Sequence, residues 1–555
     1  MKIIRLGLVL LVALVAACDR PAPPAAAVAS AHPTATEAGL QILQAGGNAF
    51  DAAVAVSATL AVVEPYSSGL GGGGFWLLHE ADTGRNIMLD GREKAPLQAH
   101  RDMYLDNEGK VIEGLSVDGP LAAGIPGEPA ALVHLAEQYG RLPLGRSLAP
   151  AIRAAREGFE VTPHYRRMAG FRLEVLRQSP AAAELFLLNN EVPPLGYVIH
   201  QPDLADTLTR LADHGRAGFY QGELARRLIE GTREAGGIWT QADLAQYTVE
   251  EREPISVRYG DYRIVSAAPP SSGGVALATM LNILEPFEPG QLSAVERQHL
   301  IIEAMRRAYR DRAEYLGDPD FVAMDIPRLT GKAHAAHLRE SIELEWATDS
   351  RLLPAVTVDQ EGNDTTHFSV LDREGNRVAA TLSINYPFGS GFMPPGTGIL
   401  LNDEMDDFSV KPGVPNVYGL IGAEANAIEP GKRMLSSMSP TFVEHADRLA
   451  ILGTPGGSRI ITMVLHGVLG FIDGEDATGI VARPRYHHQY LPDQVQHEPE
   501  AIEPAQRREL VRRGHILTEL PRRYGNMQLI IWDKAGRRVT AASDPRGEGM
   551  AATRD

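Results

Sequence analysis

Two β-rich runs, Thr366 to Leu371 and Val378 to Ile384, flank the short segment Asp372-Arg373-Glu374-Gly375-Asn376, and this spacing constrains the fold more than any other feature. Asp, Asn and a glycine at a left-handed position make a tight turn, and the β-branched residues around it favour strands. A three-residue loop, Arg373-Glu374-Gly375, pairs Asp372 with Asn376. Counting back along that register sets Thr365 opposite Ser383, with Asn385 just beyond on Ser383's face. A slip of one residue would turn every one of these side chains to the opposite face. The lead-in, Gly362-Asn363-Asp364, is turn chemistry running directly into Thr365 and Thr366.

The rest of the chain reads as α+β. At 555 residues it exceeds one ordinary domain and calls for several domains or one large multilayer fold. Thr34 and Glu37 fit a capping box ahead of Ala38, Leu40, Ile42 and Leu43, and Gly46-Gly47 closes that helix. Asp51 opens a second helix whose residues Ala52 to Val62 are small and apolar, as in a buried helix. The glycine cluster Gly69 to Gly74 formally matches G-x-G-x-x-G, but a helix precedes it and the strand-like Phe75 to His79 follows. That order is the reverse of a dinucleotide site, so the glycines are expected to let backbones pass closely or to wall a site. Phe75 to His79 and Asn86 to Leu89 form a hairpin around Asp82-Thr83-Gly84. Helical patterns dominate from 127 to 315, and Ile255 to Val265 is strand-like. The expected architecture is a substantial antiparallel sheet covered by helices.

A formal net charge of −17 excludes the basic stripe of a nucleic-acid binder. The N-terminus reads as an export signal over 1–18: a basic start, an apolar run from Leu6 to Val15 too short to span a bilayer, then small residues up to Cys18. Cys18, the sole cysteine, follows Val-Ala-Ala and resembles a bacterial lipobox, which implies lipidation of its thiol. Membrane contact would come through acyl chains, on the periplasmic side of the envelope. The Pro/Ala-rich residues 19–30 are expected to be a tether.

A strand start explains Thr365-Thr366, and so does a nucleophile. A threonine hydroxyl attacks poorly without an adjacent base, and an N-terminal threonine carries its own: an α-amine of pKa about 8. Thr365 becomes N-terminal only if the Asp364–Thr365 bond breaks. Its hydroxyl could attack the Asp364 carbonyl, give an ester, and let water release the new terminus.

At this point the sequence resembles the γ-glutamyltransferases, a family of N-terminal-nucleophile hydrolases. The resemblance is carried by "GGNAFDAAVAVSATLAVVEPYSSGLGGGGF" (46–75), "DGREKAP" (90–96), "TTHFSV" (365–370), "GILLNDEMDDFS" (398–409), "LSSMSP" (435–440) and "GTPGGSRI" (453–460). It implies a four-layer αββα sandwich built from two autocleaved subunits, 31–364 and 365–555, held as a heterodimer. It implies Thr365 as nucleophile and Thr366 as the residue positioning the new α-amine. Ser383 stands where the family often has threonine.

The resemblance also supplies a binding site. Arg92 falls at the position that grips the α-carboxylate of a γ-glutamyl donor, and a guanidinium matches a carboxylate bidentately. Ser436 and Ser437 fall at the second carboxylate anchor. Asp407, helped by Glu404 and Asn385, falls where the α-ammonium is accepted. Gly456 and Gly457, before the apolar run Ile460 to Phe471, would aim backbone N–H groups at an oxyanion. Tyr418, in a segment resembling the family's lid loop, would shield the acyl-enzyme. Donors would be glutathione or similar γ-glutamyl amides, and acceptors water, amino acids or peptides, with no cofactor. His487, His488 and His497 match no standard metal spacing and read as structural. The rivals are the same fold acting on glutaryl-cephalosporins or γ-linked polymers, and an inactive scaffolding lipoprotein. Intact mass and N-terminal sequencing of incubated protein test the cleavage. A fragment beginning Thr365-Thr366-His367-Phe368 is expected, Thr365→Ala should remain one chain, and a processed Thr365→Ala protein would exclude self-attack by this hydroxyl.

Overall fold

In the computed structural model, which describes residues 22–353 and 365–555, two antiparallel sheets lie face to face. The first runs in the order Met550–Arg554, Ala26–Ser30, Thr366–Leu371, Arg377–Ser383, Gly73–His79, Asn86–Gly91, Glu250–Arg252. The second runs Arg538–Ser543, Gln528–Asp533, Arg448–Gly453, Thr441–Glu444, Tyr262–Ser266, Ile255–Tyr259. Strand alternation sorts the side chains into layers. Leu77, Leu371 and Ala379 of the first sheet meet Val265, Phe442, Ile451 and Ile530 of the second. Their neighbours in sequence, Leu78, Val370, Val378 and Ala380, face outward onto helices that include Ala49–Val63 and Leu144–Glu157. On the far side, Val443, Ala450, Leu452 and Ile531 pack under Gly273–Leu284, Ala294–Tyr315 and Ile460–Ile472. The result is the αββα sandwich.

The expected hairpin register is the observed one. Leu371 pairs with Arg377 and Thr366 with Leu382, the Asp372 N–H donates to the Asn376 carbonyl at 3.0 Å, and Gly375 takes φ +95°. The strand after Thr365 is flanked by Ala26–Ser30 on its other edge. That corrects the expectation of a tether over 19–30: residues 26–30 are buried strand, because small alanines and Val28 fit the crowded gap between sheets and helices. Two helix starts differ as well. The first helix is Pro33–Gln44, capped by His32 rather than by Thr34 and Glu37, since proline suits the first helical position. The second is Ala49–Val63, capped by Asn48, with Asp51 completing its capping box three residues in. Every residue of that second helix is buried, as its uniform apolarity predicts.

Both sheets combine strands from before and after residue 365. A break at 364–365 would therefore leave two chains sharing both sheets and the inter-sheet core.

The glycine cluster does allow close passage. A Cβ on Gly72 would sit 2.1 Å from the Ser383 carbonyl oxygen, a backbone atom with no freedom to yield. Gly72→Ala should lower the thermal midpoint of the purified protein, at a cost of about 1–3 kcal/mol. Gly170→Ala, where an added Cβ meets no atom within 4 Å, should leave it unchanged or raised. Equal midpoints for the two variants would show that the strand can shift to admit the methyl group.

Candidate active site

Thr365 ends the central hairpin, next to the buried Thr366. The register puts it beside Ser383, whose Oγ accepts the Asn385 N–H at 2.8 Å. Asn385 takes φ +73°, a left-handed conformation asparagine tolerates better than most residues, and its side-chain amide donates to the Asp403 carbonyl at 3.0 Å. That bond ties the strand end to the acidic loop.

The short helical turn Glu404–Asp407 projects Glu404 and Asp407 at Arg92, which is 1% exposed and follows strand Asn86–Gly91. Arg92 Nη1 lies 2.5 Å from Glu404 Oε2, Nη2 lies 2.5 Å from Asp407 Oδ2, and Glu93 Oε2 is 3.5 Å from Nη1. One guanidinium thus serves three carboxyls, with Glu93 and Glu404 fully buried and Asp407 at the edge of solvent. Burial drives the Glu404 carboxyl up to about 7 against the pull of Arg92, and burial together with Glu404 raises Glu93. The sequence expectation set Arg92 against the substrate carboxylate and the acids against its ammonium. In this ligand-free arrangement the two sets hold each other.

Ser436 and Ser437 line the same pocket, and Ser437 Oγ accepts from a second buried guanidinium, Arg312, at 3.3 Å. Sequence reading missed Arg312, because arginines in the last turn of a helix are common and nothing local marks this one. The Tyr418 hydroxyl donates to the Asn385 carbonyl at 2.6 Å. Its ring lies against Gly457, where a Cβ would come within 2.5 Å of a ring carbon. The loop carrying Tyr418 is held to the acidic turn by Asn416, which donates to Asp407 Oδ1 at 3.0 Å.

One small cavity of about 20 Å³ is lined by Thr365 together with Arg92, Ser383, Asn385, Glu404, Asp407, Tyr418, Ser436, Ser437 and Gly457. Gly456 faces a second, larger cleft that Thr365 also lines. Thr366 points elsewhere: its hydroxyl donates to Glu64 Oε2 at 2.7 Å. Glu64 was not singled out in the sequence, where it reads as the residue ending a helix. Asp364 and Cys18 lie outside the described residues.

His487, His488 and His497 do not converge. They bond to Thr462 and Gln489, to Asp493, and to the Glu498 carbonyl respectively. Among the described residues, His299, Glu303 and His515 are close enough to share an ion. Arg306 and Arg307, both paired with Glu303, oppose a cation there.

The family model described as gamma-glutamyltranspeptidase matches residues 35–554. The chain belongs to the gamma-glutamyltranspeptidase family. It is 44% identical to the glutathione hydrolase proenzyme of Pseudomonas sp. (strain A14), over 86% of this chain and 84% of that one. The glutathione hydrolase proenzyme of Escherichia coli (strain K12) is 41% identical over 94% and 90% of the two chains. Among solved structures, a cephalosporin acylase from Bacillus halodurans superposes with a TM-score of 0.83 at 30% identity, covering 96% of each chain. As a gamma-glutamyltranspeptidase family member the chain has the fold and the enzyme class expected of its motifs.

The Glu64 carboxyl next to this site has a measurable consequence. Burial raises it from 4.5 to about 7, outweighing the hydrogen bond from Thr366. Between those values the folded protein keeps a proton that the unfolded chain has released, so stability falls as pH rises from about 4.5 to 7. Glu64→Gln removes that slope while retaining an acceptor for Thr366. At pH 7.5 the variant should be more stable than the parent by roughly 3 kcal/mol, and at pH 4.5 about equal, in thermal or urea unfolding. A constant difference across that range would show that Glu64 is ionised throughout.

Proposed function

We propose that this protein cleaves itself between Asp364 and Thr365 and then hydrolyses or transfers γ-glutamyl groups from glutathione or similar γ-glutamyl amides. The observation that supports it best is the single cavity in which Thr365 meets Arg92, Glu404, Asp407, Ser436 and Ser437. A γ-glutamyl donor enters with a carboxylate and an ammonium on one carbon. Its carboxylate takes Arg92 and the two serines, and its ammonium takes Asp407, Glu404 and the Asn385 amide oxygen. Each charge in the site exchanges a protein partner for a substrate partner, so no buried charge is stranded.

The Thr365 Oγ then bonds to the γ-carbonyl carbon, and its proton passes to the Thr365 α-amine. The N–H groups of Gly456 and Gly457 receive the oxyanion. Collapse breaks the C–N bond, and the α-ammonium returns its proton to the leaving amine. Water or an amine attacks the resulting ester in the same way. Tyr418 covers the acyl-enzyme. The two chains remain one heterodimer. An exported, lipid-anchored location follows from the N-terminal reading, and no helix among the described residues is long and apolar enough to cross a membrane.

The likeness to a cephalosporin acylase favours a second reading, cleavage of glutaryl amides. The site's charge separates the two. A glutaryl group brings a carboxylate without an ammonium, so drawing Arg92 onto it would leave Glu404 and Asp407 buried without a cation. Asp407→Asn is a cleaner test than Arg92→Ala, which strands three buried carboxyls at once. Asp407→Asn should still self-cleave, should raise KM for glutathione about 10- to 100-fold, and should narrow the preference for γ-glutamyl over glutaryl amides. Faster turnover of glutaryl than γ-glutamyl amides by the parent enzyme would favour the acylase reading. An unprocessed Asp407→Asn protein would assign that residue to folding.

A further inference from the structure

Thr365 has open space on two sides. The acidic cavity lies on one, and on the other is a cleft of about 260 Å³ whose lining includes Gly456, His164, Arg167 and Arg522. Gly457 faces the first space and Gly456 the second. A carbonyl held between Thr365 and this glycine pair, with its glutamyl part in the acidic cavity, has its amine on the cleft side.

The charges of this cleft are not equally committed. Arg546 is paired with Glu498 at 2.7 Å and Asp544 at 2.9 Å, and Arg523 with Glu500 at 2.9 Å. Arg167 and Arg522 are exposed and form no ion pair among the described residues. Arg167 donates only to His164 Nδ1, at 2.7 Å. Burial and the charges of Arg167 and Arg522 hold that imidazole down to about 4, so it stays neutral and cancels neither guanidinium. Glu548 accepts the backbone N–H of His164 at 3.3 Å. Glu64 also lines the cleft, and burial keeps it only partly ionised near pH 7. Two cations therefore flank the way to the nucleophile in a chain whose net charge is −17.

We propose that Arg167 and Arg522 form a carboxylate-binding subsite for the amine half of the reaction, recognising amino acids and short peptides by their free carboxylate. The inference rests on the γ-glutamyl-transfer reading of the same nucleophile. It covers two species with one chemistry: the amine leaving in acylation and the amine arriving in transfer, which occupy the same side of the ester. Both arginines are exposed, so their removal leaves the core intact. Their attraction for an anion is screened by salt.

The test compares the parent, Arg167→Ala, Arg522→Ala and the double variant on three donors: glutathione, γ-glutamyl-p-nitroanilide and its ring-carboxylated analogue. The double variant should lose about five-fold in kcat/KM on glutathione and on the carboxylated anilide, while the uncharged anilide stays within about two-fold. High salt should shrink the parent's advantage on the charged donors alone. Transfer to glycylglycine, set against its C-terminal amide, reads the arriving amine separately from the leaving one. Equal losses on charged and uncharged donors, or unchanged kcat/KM on all three with no change in transfer to glycylglycine, would overturn the subsite. A parent enzyme that turns over none of the γ-glutamyl donors would instead overturn the transfer reading, and the subsite with it.

Discussion

The strand Thr366–Leu371 is held on both edges, by Ala26–Ser30 and by Arg377–Ser383, and covered on both faces. It cannot slide or tilt without breaking two ladders and two cores. Thr365 hangs at its end, and so inherits a fixed position from the best-packed part of the molecule. A hydroxyl that must meet a carbonyl carbon needs such placement, because misalignment of about 1 Å is enough to cost catalysis heavily. The other site residues are referred to this strand in turn. Ser383 and Asn385 follow from the hairpin register, and the Asn385 amide carries the position across to the acidic loop.

Electrostatics then limits what the site can be. Taking three carboxyls and a guanidinium out of water is costly, and the arrangement survives because Arg92 touches all three and because burial favours the protonated forms of Glu93 and Glu404. Such a cluster has little to gain from a ligand of one sign. On the proposed reading it would accept a zwitterion by exchanging partners. Arg312 extends this behind Ser437 with a second buried cation.

Much of this was legible in the sequence, for reasons that differ by residue. The hairpin was legible because turn chemistry and period-two patterning act locally, and Gly375 fixes the loop. Ser436, Arg92 and Asp407 were legible only through their motifs, since nothing local tells a pocket serine or acid from a surface one. Residues 26–30 misled because alanine is common both in tethers and in crowded strands, and only the tertiary gap between helix and sheet decides. Glu64 and Arg312 escaped notice because their roles come from burial against Thr366 and Ser437, contacts spanning hundreds and more than a hundred residues respectively.

The two spaces beside Thr365 carry opposite character, and the reaction's geometry gives that opposition a meaning. The inner cavity is small, closed and acid-rich, and its charges are paired. The outer cleft is more than ten times larger by volume and bears two guanidiniums, Arg167 and Arg522, with no ion-pair partner among the described residues. In the proposed reaction, an amide split between them would have one half held by exchange of buried ions, which is strong and selective, and the other by exposed cations, which is weak and screened. A transferase needs that asymmetry. The acyl half must stay while the ester waits, whereas the amine half must leave and be replaced, so tight binding on the cleft side would slow turnover as surely as loose binding in the cavity would lose the acyl group.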